Sequence, residues 1–523
     1  MNKFIFVSGG VCSSLGKGVA ASSIGALLEG RGLNVRMVKC DPYINVDAGT
    51  MSPYQHGEVY VTDDGAETDL DLGNYARFTK GRLSQANSIT TGQVYESVIR
   101  KEREGKYKGK CVQVIPHITD EIKSRILAVS KEEHDTDVII IEIGGTVGDI
   151  ESIPFLEVAR QMIHEQGKKN VITVHLTLIP EVGGGELKTK PTQHSVKTML
   201  ETGIQPDILI CRSPEMLDNS TCRKIALFTN VDIDAVFTSP NISTTIYEIP
   251  IVFHKQKLDE VILRKMGVEY RHSNISQWHS LLERLSARKG KVRVGIVGKY
   301  MEAHDTYTSL YEALFHASLK CGVEVELEKI DSSALEKTED VNAILGNADG
   351  ILIPGVFGQD GIDGMVKAAA WARTNKKPFF GICLGMQVMM MDWVLNVLKN
   401  NEAWAAGEEQ EKIRLGVNEI DNEDGTHIYT AYGEKRIMER HRCRIEFSAK
   451  YRDEIKKSGL KPAAFDSGGS FIECIEWAQS GDMAHPWGVA VQFHPEYKSK
   501  PMAPSPLFRD FIANCLALSR KGE

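Results

Sequence analysis

The sequence predicts an α/β protein built from two doubly wound domains, each with a mainly parallel sheet. Short apolar runs alternate with helix-like stretches as far as about Phe253, and a second such series starts at Val292. This alternation is typical of parallel strands that are covered by helices. With 523 residues, the chain is also too long for one ordinary core, which favours more than one domain.

The division into domains follows from where these runs lie. The first series predicts strands at 4–8, 35–39, 112–116, 138–143, 171–177 and 208–211, and the second at 292–297, 323–327, 350–354 and 378–382. A polar, basic stretch with an amphipathic helix at 278–285 separates the two. We therefore expect one domain at 1–265, a linker at 266–290 and a second domain at 291–523.

Composition excludes several classes of protein. The net charge of −8 argues against a protein that coats nucleic acid. The ten cysteines show no CxxC pair or metal-ligand spacing, so we expect reduced thiols. The apolar start is too short for a signal peptide, and no run is long enough to span a membrane. We expect a cytoplasmic protein.

A phosphate-binding loop is predicted at residues 9–18, between the first strand and a helix of small residues. Glycines let the backbone wrap around a phosphate, and Lys17 can reach the terminal phosphates. The usual motif has Ser or Thr after the lysine as a Mg²⁺ ligand, whereas this chain has Gly18. The alternative is a tight glycine turn followed by a surface lysine.

Two acids are candidates for the missing metal ligand. Glu142 ends the buried-strand pattern at 138–143, and ligands bind at the carboxyl ends of parallel strands. Asp71 is the second candidate, because carboxylate oxygens suit Mg²⁺ that holds nucleotide phosphates. Either acid alone is more often a helix cap or a surface residue.

A second group of cations lies far from Lys17 in the sequence. Lys188 and Lys190 are close together, and Lys224 follows later. Since one triphosphate needs one such group, two groups suggest two phosphorylated ligands. The alternative is a solvated, charged face.

The second domain carries the pattern of a cysteine nucleophile. Cys383 lies in Gly-Ile-Cys-Leu-Gly, where small neighbours permit the sharp strand-to-helix turn that projects a thiol. The helix that follows favours the thiolate. His494 and Glu496 are candidates for the general base and for the acid that orients it. A lone buried cysteine would otherwise serve packing.

Long motifs run through the first 260 residues: GGVCSSLGKG at 9–18, KCDPYIN at 39–45, QHGEV at 55–59, ETDLDLG at 67–73, GGTVGDIES at 144–152 and KTKPTQ at 188–193. These motifs resemble those of the CTP synthase family, and residues 378–387 and 491–496 resemble class I glutamine amidotransferases. The resemblance implies a P-loop, Rossmann-like amidoligase domain and a flavodoxin-like glutaminase domain. It implies amination of UTP to CTP with ATP, Mg²⁺ and ammonia from glutamine.

The resemblance also implies roles for individual residues. ATP would be bound by Ser14, Leu15, Gly16, Lys17, Gly18, Val19, Lys39 and Asp71, and Mg²⁺ by Asp71 and Glu142. UTP, or CTP as feedback inhibitor, would be bound by Ser13, Asp149, Ile150, Glu151, Lys188, Thr189, Lys190, Pro191, Thr192, Gln193 and Lys224. Glutamine would be bound by Gly355, Leu384, Gly385, Met386, Gln387 and Arg444, with Cys383, His494 and Glu496 catalytic.

The family further implies a homotetramer that can form filaments, activation by GTP, and an ammonia route near His56 and Val59. No nucleic acid or membrane partner is implied. Since ATP phosphorylates O4 of uracil in this chemistry, positioning and charge neutralisation carry the step without a protein nucleophile.

Three departures concern the glutaminase half. Val356 stands where the family has a second glycine in its oxyanion loop, Pro354-Gly355-Val356-Phe357-Gly358. The segment 392–441 is shorter than in the family, and Glu402 and Glu408 are the candidates to replace its glutamine-binding glutamate. Cys443 and Ile445 replace family residues beside Arg442 and Arg444, either of which is a candidate for the substrate carboxylate. We expect a weakened or differently regulated glutaminase.

Two other functions fit parts of the pattern. A P-loop amidoligase that acts on a carboxylate would not need the second cation group. A structural, filament-forming ATPase would have no use for Cys383, His494 and Glu496.

Overall fold

The computed structural model describes residues 2–132, 135–356, 361–399, 407–481 and 484–522. The chain forms two compact units. The first comprises residues 1–49 and 71–282, and the second comprises 50–70 and 283–523. The polar stretch at 266–290 thus contains the division, but the assignment of 50–70 to the second unit has no counterpart in the sequence-based domains.

The elements up to residue 286 follow the expected alternation. The strands are β1 (Lys3–Gly9), β2 (Val35–Asp41), β3 (Tyr60–Val61), β4 (Glu67–Thr68), β5 (Ser88–Thr90), β6 (Val138–Ile143), β7 (Val171–Leu178), β8 (Glu181–Val182), β9 (Glu186–Leu187), β10 (Ile208–Ser213) and β11 (Val236–Pro240). The helices are α1 (Lys17–Gly30), α2 (Pro53–His56), α3 (Asp71–Phe78), α4 (Thr91–Arg103), α5 (Thr119–Glu132), α6 (Ile153–Gln166), α7 (Lys190–Glu201), α8 (Asn219–Thr229), α9 (Ile249–Lys255), α10 (Leu258–Met266) and α11 (Ser276–Ser286).

The first unit is built on a seven-stranded parallel sheet in the order β11-β10-β7-β1-β6-β2-β5. Its central strands are almost wholly apolar and buried, as parallel strands covered on both faces must be. All parallel strands end at the same edge, so the loops after β1, β6 and β7 lie side by side. This edge holds the nucleotide-site candidates.

The prediction of a strand at 112–116 is wrong. The structure has a single helical turn at Val114–Ile118 instead. Val114 and Ile115 are exposed, so the run has no buried face, and Pro116 has no N–H to donate to a ladder. The short strands β5 and β11 at the sheet edges were not predicted.

The second unit has its own series of elements. The strands are β12 (Lys291–Gly298), β13 (Glu324–Asp331), β14 (Gly350–Ile353), β15 (Phe379–Ile382), β16 (Glu408–Asn422), β17 (Arg436–Ser448), β18 (Lys461–Asp466), β19 (Phe471–Glu476) and β20 (Gly488–Val491). The helices are α12 (Thr308–Cys321), α13 (Ser332–Lys337), α14 (Val341–Leu345), α15 (Ile362–Thr374), α16 (Leu384–Asp392), α17 (His427–Tyr432), α18 (Arg452–Ser458) and α19 (Pro506–Gly522).

Five strands of the second sheet, β13-β12-β14-β15-β20, are parallel. In sequence order they read 2-1-3-4-5, which is the flavodoxin-like arrangement. Beyond β20 the sheet continues as β19-β17-β16-β18 with antiparallel pairing. The α/β class is confirmed, and the antiparallel extension is an addition that the sequence pattern did not predict.

Segment 50–70 is tied to the second unit by buried polar contacts. The Glu58 carboxylate accepts hydrogen bonds from the backbone N–H and hydroxyl of Ser309, at 3.0 and 2.6 Å. Arg440 on β17 donates to Asp63 at 2.6 Å and to the Tyr60 hydroxyl at 2.6 Å. A charged group that is buried must be paired, so these contacts fix the segment.

Among the described helices, none is long and apolar enough to cross a membrane.

Candidate active sites

The loop after β1 has the backbone of a phosphate-binding loop. Val11, Ser14 and Gly16 have positive φ angles of 78°, 55° and 92°. The loop then enters α1 at Lys17, whose ammonium donates to the Gly145 carbonyl at 2.6 Å. Burial lowers the pKa of Lys17, although the Glu142 carboxylate opposes this change. Lys17 therefore lies at the junction of the loops after β1 and β6.

Gly18 is the position where a P-loop usually carries its hydroxyl ligand, and here it makes room for a carboxylate. A Cβ on Gly18 would lie 2.0 Å from Oδ1 of Asp71 and 2.7 Å from its Cγ. Asp71 is the first residue of α3, which packs against α1. The carboxylate thus occupies the place of the missing side chain.

Lys39 and Glu142 complete this group. The Lys39 ammonium contacts Asp71 and lies 3.2 Å from Oε1 of Glu142. The Tyr75 hydroxyl donates to the other oxygen of Glu142. Burial, together with the charge of Asp71, raises the pKa of Glu142 to about 7. The charges of Lys39 and Lys17 and the Tyr75 hydroxyl oppose this rise.

The second cation group surrounds the beginning of α7. Lys188 is half-buried and lies 2.5 Å from Glu186 on β9. Lys190 is exposed, with its ammonium 5.7 Å from the centroid of the Phe228 ring, and Lys224 is exposed on α8. These ammonium groups are accessible to an anion in solvent.

The other predicted residues in this motif have structural contacts. Thr192 is buried, and its hydroxyl donates to Thr177 at 3.0 Å. The Gln193 amide donates to the Thr189 hydroxyl at 3.1 Å. Pro191 lies in the first turn of α7, where its missing N–H costs nothing. The motif therefore builds the helix start that presents the lysines.

The P-loop and α7 are in direct contact. A Cβ on Gly10 would lie 1.8 Å from the hydroxyl oxygen of Ser195 on α7. Ser8, His175 and Ser195 form a buried hydrogen-bonded chain, with His175 at 2.9 and 2.8 Å from the two hydroxyls. Burial lowers the pKa of His175 to about 3, so this link is uncharged. Sequence reasoning missed these residues, because a histidine in an apolar strand carries no distinctive signal.

The loop after β6 lies beside the P-loop. The Val147 N–H donates to the Gly9 carbonyl at 2.8 Å. Asp149, Ile150 and Glu151 follow and are exposed, as is Ser13 in the P-loop. The loops after β1, β6 and β7 thus share one edge of the sheet and carry most of the residues predicted for ATP and for UTP or CTP. The others are Lys39 on β2, Asp71 at the start of α3 and Lys224 on α8.

In the second unit, Cys383 lies in a strained turn between β15 and α16. Its backbone has φ 52° and ψ −101°. Cβ atoms on Gly381 and Gly385 would lie 2.6 Å and 2.4 Å from backbone carbonyl oxygens, so only glycine fits there. Such strain, maintained by packing, is characteristic of functional residues. The predicted nucleophile elbow is present, and Leu384, Gly385, Met386 and Gln387 form the buried first turn of α16.

His494 and Glu496 form a buried pair next to this thiol. Nδ1 of His494 lies 2.7 Å from Oε1 of Glu496, and the Tyr497 ring stacks on the imidazole with centroids 5.2 Å apart. Burial disfavours the imidazolium, but the charge of Glu496 and the contact with Cys443 raise the pKa of His494 to about 10. One ring nitrogen of His494 lies within 4.8 Å of the Cys383 sulfur.

The glutamine-binding candidates are less well grouped. Gly355 lies against His494 and Cys383, since its Cβ would meet Cε1 at 2.6 Å and the Cys383 Cβ at 3.0 Å. Arg444 is exposed and lies 3.8 Å from Glu409. It follows Cys443 on β17 and therefore projects from the opposite face of the strand.

Arg442 projects from the same face as Arg444 and donates to Glu67 at 2.8 Å. Glu408 pairs with Lys450 at 2.6 Å. Val356 is not one of the described residues that have a positive φ angle. It therefore avoids the backbone strain that a β-branched residue would have at positive φ. Phe357, Gly358 and Glu402 lie outside the described residues.

Of the two residues predicted for an ammonia route, Val59 is linked to the Cys383 site. The Tyr497 hydroxyl donates to the Val59 carbonyl at 3.0 Å, and its ring stacks on His494. His56 lies 3.1 Å from Asp69. The segment that carries Val59 and His56 continues directly into Asp71, the carboxylate beside Gly18. One stretch of chain therefore runs from the thiol site to the first residue of α3.

Fold and geometry together define a protein that joins a P-loop nucleotide site to a cysteine-histidine-glutamate site. A profile of the CTP synthase N-terminus matches residues 3–268, and a profile of class I glutamine amidotransferases matches 302–514. CTP synthases of Geobacter sulfurreducens and Carboxydothermus hydrogenoformans are 50% and 48% identical, over 99% of this chain and 99% and 100% of theirs. The chain belongs to the CTP synthase family.

The similarity to a solved structure is partial. The glutaminase domain of Trypanosoma brucei CTPS with bound acivicin is 30% identical, with a TM-score of 0.39, and the match covers 43% of this chain and 94% of that one.

Proposed function

We propose that this chain forms CTP from UTP, ATP and ammonia, and that it obtains the ammonia by hydrolysing glutamine. One observation carries the proposal: the P-loop follows β1, α7 follows the neighbouring strand β7, and Gly10 contacts Ser195 in the middle of α7, the helix whose start carries the second cation group. Two phosphorylated nucleotides bound at these elements would therefore lie side by side. Membership of the family supports the same activity and argues against the two alternative functions.

The nucleotide site can carry out phosphoryl transfer by positioning and charge neutralisation. Lys17 and Lys39 would hold the phosphates of ATP, with Ser14, Leu15, Gly16, Gly18 and Val19 supplying the surrounding backbone. Ser13, Lys188, Lys190 and Lys224 would hold the UTP triphosphate. The γ-phosphoryl group would pass to O4 of uracil, ammonia would bond to C4, and the C4–O4 bond would break as phosphate leaves.

The residues present fit a magnesium ion. Asp71 and Glu142 supply hard oxygen ligands side by side at the P-loop, both of them in contact with Lys39. When bound, Mg²⁺ would neutralise phosphate oxygens. Asp71 and Glu142 would hold it, while Lys39 would turn from the acids to the phosphates.

In the second unit, the Cys383 sulfur would attack the carbonyl carbon of the glutamine amide. His494, held by Glu496, would carry the proton of the thiol as an imidazolium and give it to the departing ammonia. Water would then hydrolyse the thioester that remains and release glutamate. Gly355 and the first turn of α16 would contact glutamine. Arg444, with Arg442 as the alternative, is the family's candidate for the substrate carboxylate and would have to reach it from the other face of β17. Ammonia would leave past Tyr497 and Val59.

Regulation and assembly follow the family expectation. We propose feedback inhibition by CTP with contacts from Asp149, Ile150 and Glu151, activation by GTP, a homotetramer that can form filaments, and a cytoplasmic location. Light scattering with and without nucleotides tests the assembly, and CTP and GTP titrations of activity test the regulation.

An absorbance assay of UTP conversion to CTP tests the proposal. With ATP and Mg²⁺, we expect CTP from either ammonium or glutamine, and less turnover with glutamine because the segment 392–441 is shortened. The variant Lys17→Ala should abolish both reactions. CTP from ammonium alone would refute the glutaminase part, and no CTP from either nitrogen source would refute the whole.

A further inference from the structure

We infer that Cys383, Cys443 and His494 form a binding site for a soft divalent cation, with Zn²⁺ as the best match. The two sulfurs and one imidazole nitrogen lie within 4.8 Å of one another, and all three side chains are buried. Within the described ranges, no other group of three such side chains is this close. Cys443 is the residue that distinguishes the group from an ordinary cysteine-histidine pair.

The spacing of the sulfurs suits a tetrahedral metal. Sγ of Cys383 and Sγ of Cys443 are 4.0 Å apart. Two Zn–S bonds of about 2.3 Å at a tetrahedral angle place their sulfurs about 3.8 Å apart. A shift of a few tenths of an ångström would therefore bring both sulfurs to bonding distance.

His494 is oriented to provide the third ligand. Its Nδ1 is held by Glu496 at 2.7 Å, the kind of carboxylate contact that commonly orients a metal-binding histidine. Its Nε2 is buried and has no nitrogen or oxygen hydrogen-bond partner within the described part of the chain. Its contact is instead with the Cys443 thiol, so a metal bound between the two would replace that contact, and the imidazolium proton would have to leave.

The donor set selects the class of metal. Two thiolates and an imidazole suit Zn²⁺, whereas Mg²⁺ requires oxygen ligands. Three protein ligands leave a fourth position for water or another small ligand. The Cys443 thiol now donates to the Gln492 carbonyl at 3.0 Å, and this proton must leave when a metal binds.

Occupancy would have a functional consequence, which rests on the proposed function. A sulfur that is bound to Zn²⁺ cannot attack an amide, and His494 cannot serve as a base while its Nε2 holds the metal. Zn²⁺ would therefore stop the use of glutamine. The use of ammonium would continue, because it depends on the P-loop site.

A direct binding measurement tests the site independently of activity. The full chain, reduced with TCEP to prevent a Cys383–Cys443 disulfide, is mixed with Zn²⁺ alone and titrated against a chromogenic chelator. We expect about one tightly bound Zn²⁺ per chain. Cys443→Ser and Cys443→Ala should each weaken it by at least about 100-fold, whereas Cys474→Ser, a buried cysteine on β19 outside the group, should not.

Co²⁺ provides a second readout on the unaltered chain. Bound at this site, Co²⁺ should give a near-ultraviolet thiolate charge-transfer band that disappears on addition of Zn²⁺. Equal Zn²⁺ affinity in the Cys443 variants and the parent, or no thiolate band, would overturn the inference.

Activity is measured last, with both nitrogen sources. Zn²⁺ at one equivalent should inhibit CTP formation from glutamine at least about 10-fold, leave formation from ammonium unchanged, and be reversed by chelator. If the metal-free chain does not use glutamine at all, the glutaminase proposal fails, while the Zn²⁺ and Co²⁺ measurements still decide the metal site.

Discussion

The carboxylate of Asp71 lies where a side chain at position 18 would be, with Oδ1 2.0 Å from the Cβ that Gly18 lacks. The usual P-loop places a hydroxyl at this position for Mg²⁺. Here the glycine and the acid replace it as a pair, and the acid begins α3, directly after the segment that is anchored in the second unit. Position 18 therefore requires glycine because a side chain there would collide with Asp71, independently of the backbone freedom that glycine has.

The pairing of Gly18 and Asp71 predicts a specific pattern of variants. Gly18→Ala should displace the Asp71 carboxylate and reduce ammonium-supported CTP formation by at least about 100-fold, because a shift of about 1 Å at a reacting site has that effect. Asp71→Ala should have a similar effect, and the double variant should be little worse than either. Additive losses, with calorimetry showing an intact fold, would contradict the pairing.

The raised pKa of Glu142 predicts that the stability of the fold depends on pH. Its pKa is about 7 in the fold against 4.5 in the unfolded chain, so rising pH ionises the unfolded state first and destabilises the fold between 4.5 and 7. The full difference corresponds to about 3 kcal/mol. Glu142→Gln should therefore raise the unfolding temperature of the nucleotide-free protein at pH 8 and much less at pH 5.

The control for this prediction is Glu181→Gln, which changes an exposed carboxyl. It should leave the unfolding temperature unchanged at both pH values. An equal effect of Glu142→Gln at pH 5 and pH 8 would show that the carboxyl is not held protonated by its surroundings.

The pairing of Glu496 with His494 predicts a variant that loses activity with glutamine but keeps activity with ammonium. Glu496→Gln removes the charge that holds His494 as imidazolium, so glutamine-supported CTP formation should fall about 100-fold or more. Ammonium-supported formation should stay near the parent value, since it does not use this pair. Parallel steady-state assays measure both, and an equal loss in both would argue against a dedicated glutaminase.

The hydrogen bond from Tyr497 to Val59 predicts that its removal causes ammonia to leak. Tyr497→Phe keeps the ring on His494 but removes the hydrogen bond to the Val59 carbonyl, which weakens the anchor of segment 50–70 by about 1 kcal/mol. Glutamate release should persist while the ratio of CTP to glutamate falls. Tyr429→Phe, a tyrosine on α17, is the matched control and should keep the parent ratio.

Much of the architecture could be predicted from local pattern. Buried parallel strands such as β6 and β7 are continuous apolar runs, and glycines flanking Cys383 predict the elbow that the structure contains. The strand expected at 112–116 was wrong because an apolar run does not reveal whether it is buried. Only packing shows that Ile115 is exposed.

Long-range relationships could not be predicted. The docking of 50–70 on the second unit depends on pairs such as Arg440 with Asp63, which are 377 positions apart. The contact between Gly10 and Ser195 and the buried His175 link likewise join distant parts of the chain. Cys443 stood out in the sequence as an unusual residue, but its distance from Cys383 required the fold.

The central claim is that ATP activates O4 of UTP so that ammonia can replace it. The most direct measurement uses UTP labelled with ¹⁸O at O4, with ATP, Mg²⁺ and ammonium, and analyses the phosphate by mass spectrometry. The account predicts that each CTP formed releases one phosphate carrying the label. Labelled UTP that yields CTP with unlabelled phosphate, or no CTP at all, would contradict it.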